Sequence, residues 1–433
     1  MTVITASFVN QDRFNQNIAE LATIGKLPNG GVCRIAYSPE VIQSRQLVQR
    51  WMREAGMTVH IDAAANIIGT YAGKRSGAPA LVTGSHIDTV PTGGRYDGAL
   101  GVLAGIEVVR VLRDRSIQLD HPLEVVVFTD EEGGMIGAKA ISGTAFSEPE
   151  YYRRDDGTSI ETCLQRVGGD WSKLATAKRN PSDIAAFIEL HVEQGGVLEH
   201  YSKQIGVVEG IVGQHRYIVT VIGRSNHAGT TPMHLRKDAL VTASQIVLAV
   251  NNLAKNASGS PVATVGALNV VPNAANIVPG QVELTIDMRD VDQEHLILLS
   301  EQLQQQLQAI AKSSQTEITI TPILQTEAVL ATPQIQTAIV QTCEEMGLSY
   351  CHLPSRASHD AQEMGLIADM GMIFVPSQAG ISHAEDEYTS PEECAQGVEM
   401  LLQTLIRLDR LYPIRDVPEN KPASMPPYTS ETL

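Results

Sequence analysis

The chain is short of positive charge. Its 32 Lys and Arg stand against 49 Asp and Glu, a formal net charge of −17 over 433 residues. Phosphate contacts require a basic face, so nucleic-acid binding is excluded as the main task. A locally basic pocket for a small anion stays open. The sequence also lacks any Cys-x-x-Cys pair. Its five cysteines (Cys33, Cys163, Cys343, Cys351, Cys394) are scattered, an odd and dispersed set that suits a reducing compartment. No stretch approaches the ~20 apolar residues that a membrane helix needs. The first twenty residues hold Asp12, Arg13 and Glu20 without a long apolar run, which argues against a signal peptide. The expectation is a cytoplasmic protein that engages neither membrane nor nucleic acid.

What is present is length and apolar content. At 433 residues and 43% hydrophobic composition, two domains are the default. Residues 1–60 read as helical, with Ser38 as N-cap, Pro39 at the first helical position and Gly56 closing a helix. Strands are expected at 58–72, 81–85, 123–129 and 186–190, with a buried helix over 99–113. From about residue 205 the character changes. Paired strands over 205–222, a helix over 236–255, strands over 262–271 and 281–289, a helix over 292–312 and a strand over 316–325 make a split β-α-β-β-α-β unit. Helix and strand character of the first kind then resumes at 333–347, 370–376 and 391–411. The segment from 413 on, rich in Pro, Ser and Glu, reads as disordered.

The chemistry gathers around the expected strands. His86 and Asp88 follow the first apolar run, and alternation puts them on one side. Asp97 sits in a Gly-rich turn before a helix, and Asp130, Glu131 and Glu132 end the strand over 123–129. Either feature alone is ordinary: a His-x-Asp surface pair, or a solvated acidic turn. Together at strand ends they are a cluster of like charge that needs a cation. His191, with Glu193 and Gln194 just beyond, and His383 in GISHAEDE complete the pattern. His86, Asp97, Glu132, His191 and His383 form a five-ligand set for two divalent ions. Asp97 would bridge them, with His86 and His191 on one side and Glu132 and His383 on the other. Imidazole and carboxylate without thiolate suits zinc, or else manganese, cobalt or nickel. Asp88 would hold the second ring nitrogen of His86. Glu131 is left free as general base on the attacking water.

The motifs GSHIDTVPTGGRYDGALGV, TDEEGG, IELHVEQG, GIVGQHRYIVTVIGRSNHAGTTPM, NVVPNAANIVPG, SHDAQEM and GISHAEDE, with the Asp287–Arg289 segment, carry a resemblance that covers about residues 10–412. In them the chain resembles the M20-type metallopeptidase superfamily. Within it, the likeness is to the amidase branch of carbamoylases, β-ureidopropionases and allantoate amidohydrolases. The resemblance implies an α/β fold: a di-metal catalytic domain with a mixed sheet flanked by helices, interrupted by a ferredoxin-like α+β lid that also forms a homodimer. The domains are then 1–214 and 332–412 for the catalytic part, 215–331 for the lid, and 413–433 for the tail. The same ligands and base are implied, with His227 stabilising the oxyanion. Arg216, Asn276 and Arg289 match substrate-holding positions, and Gln194 and Ser358 join them as candidates. Alternation of Val282, Leu284, Ile286 and Met288 with polar neighbours independently puts Arg289 on the polar face of its strand.

One departure stands out. The branch commonly carries Gly-Ala-Gly where this chain has Arg356-Ala357-Ser358, so added side chains narrow the pocket or supply new contacts. The implied reaction is hydrolysis of linear C–N bonds in ureido acids, either N-carbamoyl-L-amino acids or allantoate. The alternatives are an aminoacylase or dipeptidase with the same metal site, and a non-catalytic binding protein on the same scaffold.

Overall fold

Apolar, β-branched runs become the strands of two separate sheets in the computed structural model, which describes residues 7–412. The larger sheet begins with β1 (Thr58–Ile61), β2 (Ile67–Tyr71), β3 (Ala80–His86), β4 (Leu123–Phe128), β5 (Ile184–Val192) and β6 (Ile205–Ile211). The smaller sheet takes β7 (Gly213–Ile222), β9 (Val262–Val271), β11 (Gln281–Asp290) and β12 (Glu317–Thr326). Between them β8 (Asn226–His227) pairs only with β10 (Ile277–Val278). The chain then returns to the larger sheet with β13 (Val329–Leu330), β14 (Tyr350–Ser355) and β15 (Met370–Val375).

The larger sheet has nine strands in the order β1-β2-β4-β3-β5-β15-β6-β13, with β14 also on β6. It is mixed: β3 runs parallel to both β4 and β5, whereas β2 and β4 are antiparallel. β3 and β15 are buried along their whole length, as strands covered on both faces must be. Helices Ala99–Asp114, Pro333–Met346 and Pro391–Leu411 cover one face, and Ile136–Ser142, Val197–His200 and Asp360–Met364 the other. Because the chain leaves β3 towards β4 on one side and meets β5 on the other, their carboxyl ends frame a crevice at a switch point.

The smaller sheet is antiparallel, in the order β12-β7-β11-β9. Helices Ala239–Asn256 and Gln293–Ser314 pack on one face through Ile246, Leu299 and Leu303 against Val282, Leu284, Ile286 and Met288. Glu283, Thr285, Asp287 and Arg289 take the other face, as the alternation requires.

Three expectations are corrected. Residues 205–222 do not form a pair: β6 lies in the larger sheet and β7 in the smaller. A single intervening residue, Val212, cannot close a hairpin, so the chain crosses between sheets there. The strands also change sheet before Gly213 and after Thr326, so Val329 and Leu330 pair with β6 rather than joining the lid. The strand Tyr350–Ser355 and helix Asp360–Met364 are additional elements. The expected disorder of 413–433 lies outside the described residues.

Candidate metal centre

Parallel pairing of β3 with β4 and β5 sets their carboxyl ends side by side. His86 is the last residue of β3, and His191 is the penultimate residue of β5. Asp97 comes from the turn before helix Ala99–Asp114, followed by Gly98 at φ +63°. A Cβ at Gly98 would stand 2.4 Å from Nε2 of His86, so only glycine lets this turn close on the imidazole.

Asp97 divides its carboxylate between two groups. Oδ1 lies 3.2 Å from Nε2 of His191 and 3.9 Å from Nε2 of His86. Oδ2 lies 3.0 Å from Nε2 of His383. His383 is in turn 3.6 Å from Oε1 of Glu132. Donor atoms of His86, Asp97 and His191 all fall within 4.8 Å of one another, as do those of Asp97, Glu132 and His383. The structure therefore gathers all five expected ligands into two triads that share Asp97. Their electrostatics call for positive charge. The hydrogen bond with Asp97 pushes His383 up to about 9. Burial works against the imidazolium of His191, yet Asp97 outweighs it. Asp97 itself is buried, but its imidazole partners hold it well below the usual carboxylate range. Nitrogen and oxygen donors around one shared carboxylate fit hard or borderline divalent ions.

Ring orientation is fixed by backbone. Nδ1–H of His86 donates to the carbonyl of Asp88 at 3.0 Å, and Nδ1–H of His191 to the carbonyl of Val192 at 2.9 Å. Each leaves Nε2 as the ligating atom. Asp88 thus holds the second ring nitrogen of His86 as expected, but through its carbonyl rather than its carboxylate. Its carboxylate is 3.9 Å from Nδ1 and instead accepts the Glu132 amide at 3.2 Å. The chain turns after His86, so alternation stops applying.

Glu131 is buried with Oε2 3.6 Å from Nε2 of His86. Burial, then the charges of Asp360, Glu132, Asp88 and Asp97, raise it well above the usual carboxylate range. Gln194, expected at the substrate, donates Nε2–H to Oδ2 of Asp97 at 2.9 Å. His383 is not at a strand end: it sits in a loop beyond β15 at φ +54°.

Several contributors went unassigned in the sequence. Oε1 of Glu387 accepts the amides of Tyr96 (2.8 Å) and Asp97 (3.1 Å), while Oε2 accepts Ser382 Oγ at 3.0 Å. It thus ties the Asp97 turn to the His383 loop. His359 packs its ring 4.5 Å from that of His191, and both carboxylate oxygens of Asp360 are buried without a partner. Their only sequence signal is membership of the motifs GISHAEDE and SHDAQEM.

The other candidates lie apart from the ligands. Arg216 and Arg289 converge on Asp287 on the polar face of the smaller sheet. Arg289 also donates Nη1–H to the carbonyl of Arg356, so its fork is already engaged. Nδ1 of His227 accepts the amides of Gly229 and Thr230 within its own loop. The carbonyl of Asn276 accepts the Ala228 amide at 2.9 Å. Ser358 is exposed, two residues before Asp360.

Comparison with known proteins matches this geometry. Over 92% of its length the chain is 38% identical to an N-carbamoyl-L-amino acid amidohydrolase of Geobacillus stearothermophilus, spanning 99% of that protein. It is 35% identical to an allantoate amidohydrolase of Bacillus subtilis (strain 168), over 90% of this chain and 95% of the relative. The fold superposes on an amidase of the hydantoinase/carbamoylase family from Burkholderia multivorans with a TM-score of 0.88 and 36% identity, covering 93% of this chain and 98% of the other. Residues 82–407 match the description of peptidase family M20/M25/M40, and the chain belongs to that family.

Proposed function

We propose that this chain is a metal-dependent amidohydrolase that cleaves linear C–N bonds of ureido acids, of the N-carbamoyl-L-amino acid or allantoate type. The observation that carries the reading is the split carboxylate of Asp97, facing His191 and His86 with one oxygen and His383 with the other. Relatives over nine-tenths of the chain that bear these activities support it. His86 and His191 would hold one divalent ion and Glu132 and His383 a second, with Asp97 between. Zinc suits this donor set, and manganese, cobalt or nickel would also fit. Such ions supply Lewis acidity, polarising the ureido carbonyl and making water a stronger acid.

The chain's own residues do the rest. Glu131 stands buried beside His86, among the carboxylates of Asp360, Glu132, Asp88 and Asp97. It takes the proton of the attacking water and hands it to the leaving nitrogen. Water adds to the ureido carbonyl carbon, the C–N bond breaks and ammonia departs. A carbamoyl substrate is left as a carbamate, which loses carbon dioxide to free the amine. Gln194 holds Asp97 in place. His227 would supply an N–H to the oxyanion, and Arg216, Asn276 and Arg289 would orient the substrate from the lid.

The lid, the domain of the smaller sheet from Gly213 to Thr326, would also join two copies of the chain. Met233 and Leu235, close to His227, are 76% and 63% exposed, and Val241 and Leu248 project from helix Ala239–Asn256. Such apolar exposure on one domain supports a homodimer, which sedimentation equilibrium would test. The function itself is tested by a substrate panel with metal-loaded protein. Ammonia from N-carbamoyl amino acids or allantoate is the expected product. Amine release from N-acyl amino acids or dipeptides alone would assign an aminoacylase or dipeptidase instead, and no turnover at all a binding protein.

A further inference from the structure

A cavity of about 670 Å³ opens on the face of the smaller sheet that carries Asp287 and Arg289. Arg216, Thr264, Thr285, Asp287, Arg289 and Arg356 line it. Three guanidinium groups therefore face one carboxylate. Oδ2 of Asp287 accepts Nε and Nη2 of Arg216 at 3.1 and 2.9 Å. Oδ1 accepts Nε of Arg289 at 2.9 Å. Asp287 thus answers one positive charge shared between two arginines. Arg356 hydrogen-bonds a neutral acceptor, Nη2 donating to the carbonyl of Ser260 at 2.7 Å, and feels the Glu193 carboxylate without an ion pair to it among the described residues. Within the lining three guanidinium groups meet the single carboxylate of Asp287, and a guanidinium grips a carboxylate through paired, charge-assisted hydrogen bonds.

The cavity is joined to the metal cluster by a short segment. Ser355 Oγ lies 2.8 Å from Nε2 of His359, and the His359 ring packs on that of His191. Arg356 precedes His359 by three residues, a span of at most ~10 Å. Arg356 therefore lies on the segment that links the lining of the cavity to the residues packed on the cluster.

We infer that Arg356 is a specificity-determining residue that reserves this cavity for doubly acidic substrates: ureido acids with a second carboxylate in the side chain, of the N-carbamoyl aspartate or glutamate class. One carboxylate is the common group of the ureido acids and falls to Arg289 and Arg216, in exchange for their bonds to Asp287. The second is met by Arg356. The inference rests on the ureido-acid reading for the chemistry of its substrate, but not for the charge selectivity of the cavity.

The test compares N-carbamoyl-L-glutamate with N-carbamoyl-L-glutamine, nearly equal in size, by release of the free amino acid from metal-loaded protein. Wild type should favour the glutamate compound by ~30-fold in kcat/KM, the scale of one charge-assisted hydrogen bond. In Arg356→Gly the ratio should fall to within ~3-fold of unity, whereas Arg356→Lys should keep part of the preference. Bound metal, read by elemental analysis, should not change. An even ratio in wild type, or a ratio that survives Arg356→Gly, overturns the inference. An equal loss on both substrates overturns it too, since Arg356 would then be only a strap to Ser260. Calorimetry with glutarate and butyrate reads the cavity without turnover. Glutarate should bind at least ~10-fold more tightly to wild type but not to Arg356→Gly. A glutarate preference without turnover of any ureido acid would defeat the reaction assignment and leave the cavity assignment standing. Ureido turnover with no preference of either kind would do the reverse.

Discussion

Nε2 of His383 lies 3.0 Å from Oδ2 of Asp97, and this contact closes a carboxylate whose other oxygen already faces His191. A loop beyond β15 and the turn after β3 thus meet at one side chain. Removing either imidazole should empty the site it serves. His191→Ala and His383→Ala should each lower bound metal per chain, measured by elemental analysis. A full complement in both variants would show that the ligand set is wrong. His383 is partly exposed on its loop, so its variant should keep the wild-type fold.

Glu131→Gln should behave differently. The side chain keeps its size beside His86 but can no longer accept a proton. Metal content should stay normal while turnover falls by at least ~100-fold, the scale of lost general-base catalysis. Near-normal turnover with both ions bound would remove Glu131 from the mechanism.

Glu387 is not itself an expected ligand, yet it fixes two of the segments that carry them. It accepts two amides with one oxygen and the Ser382 hydroxyl with the other. Glutamine has only one acceptor oxygen, so Glu387→Gln must release one side of this clamp. Metal affinity should drop by ~10–100-fold, the cost typical of losing a partner that orients a ligand. Competition with a chromophoric chelator reads this directly, and an unchanged affinity would contradict it.

These residues differ in how far the sequence exposed them. The five candidate ligands were legible because imidazoles and carboxylates recur together beside apolar strands and Gly-rich turns, a like-charged cluster that needs a cation. Glu387, His359 and Asp360 were not, because their roles exist only in contacts between segments far apart in the chain. The Asp88 carboxylate was misplaced by extending strand alternation past His86, where the strand has ended. The same overextension turned β6 and β7 into a pair, since one apolar run hides a crossing between two sheets. The succession of helices and strands in the smaller sheet after β7 was legible, because β11 alternates cleanly and the helices are amphipathic, but the short pair of β8 and β10 was not.

Asp287 gives the lid an acid-sensitive contact. Burial pushes its carboxyl up, but hydrogen bonds from Arg289 and Arg216 prevail and hold it below its ordinary value. A lowered folded-state value means stability that is present above the unfolded value of ~3.9 and is lost as pH falls through the lowered one. Asp287→Asn should cost about 0.5–1 kcal/mol at pH 7, the scale of a partly exposed pair. That deficit should shrink as pH falls from 5 towards 2, because wild type then loses the same contribution. Urea denaturation at a series of pH values would show it. A deficit that grows on acidification would contradict the assignment.

The most direct measurement of the central claim is a titration of chelator-stripped protein with a divalent ion while ammonia release from N-carbamoyl-L-amino acids and allantoate is followed. The account predicts no ammonia from stripped protein and a rate that rises to a plateau at two ions per chain. Ammonia at full rate from the stripped protein, or none from any ureido acid with two ions bound, would contradict it.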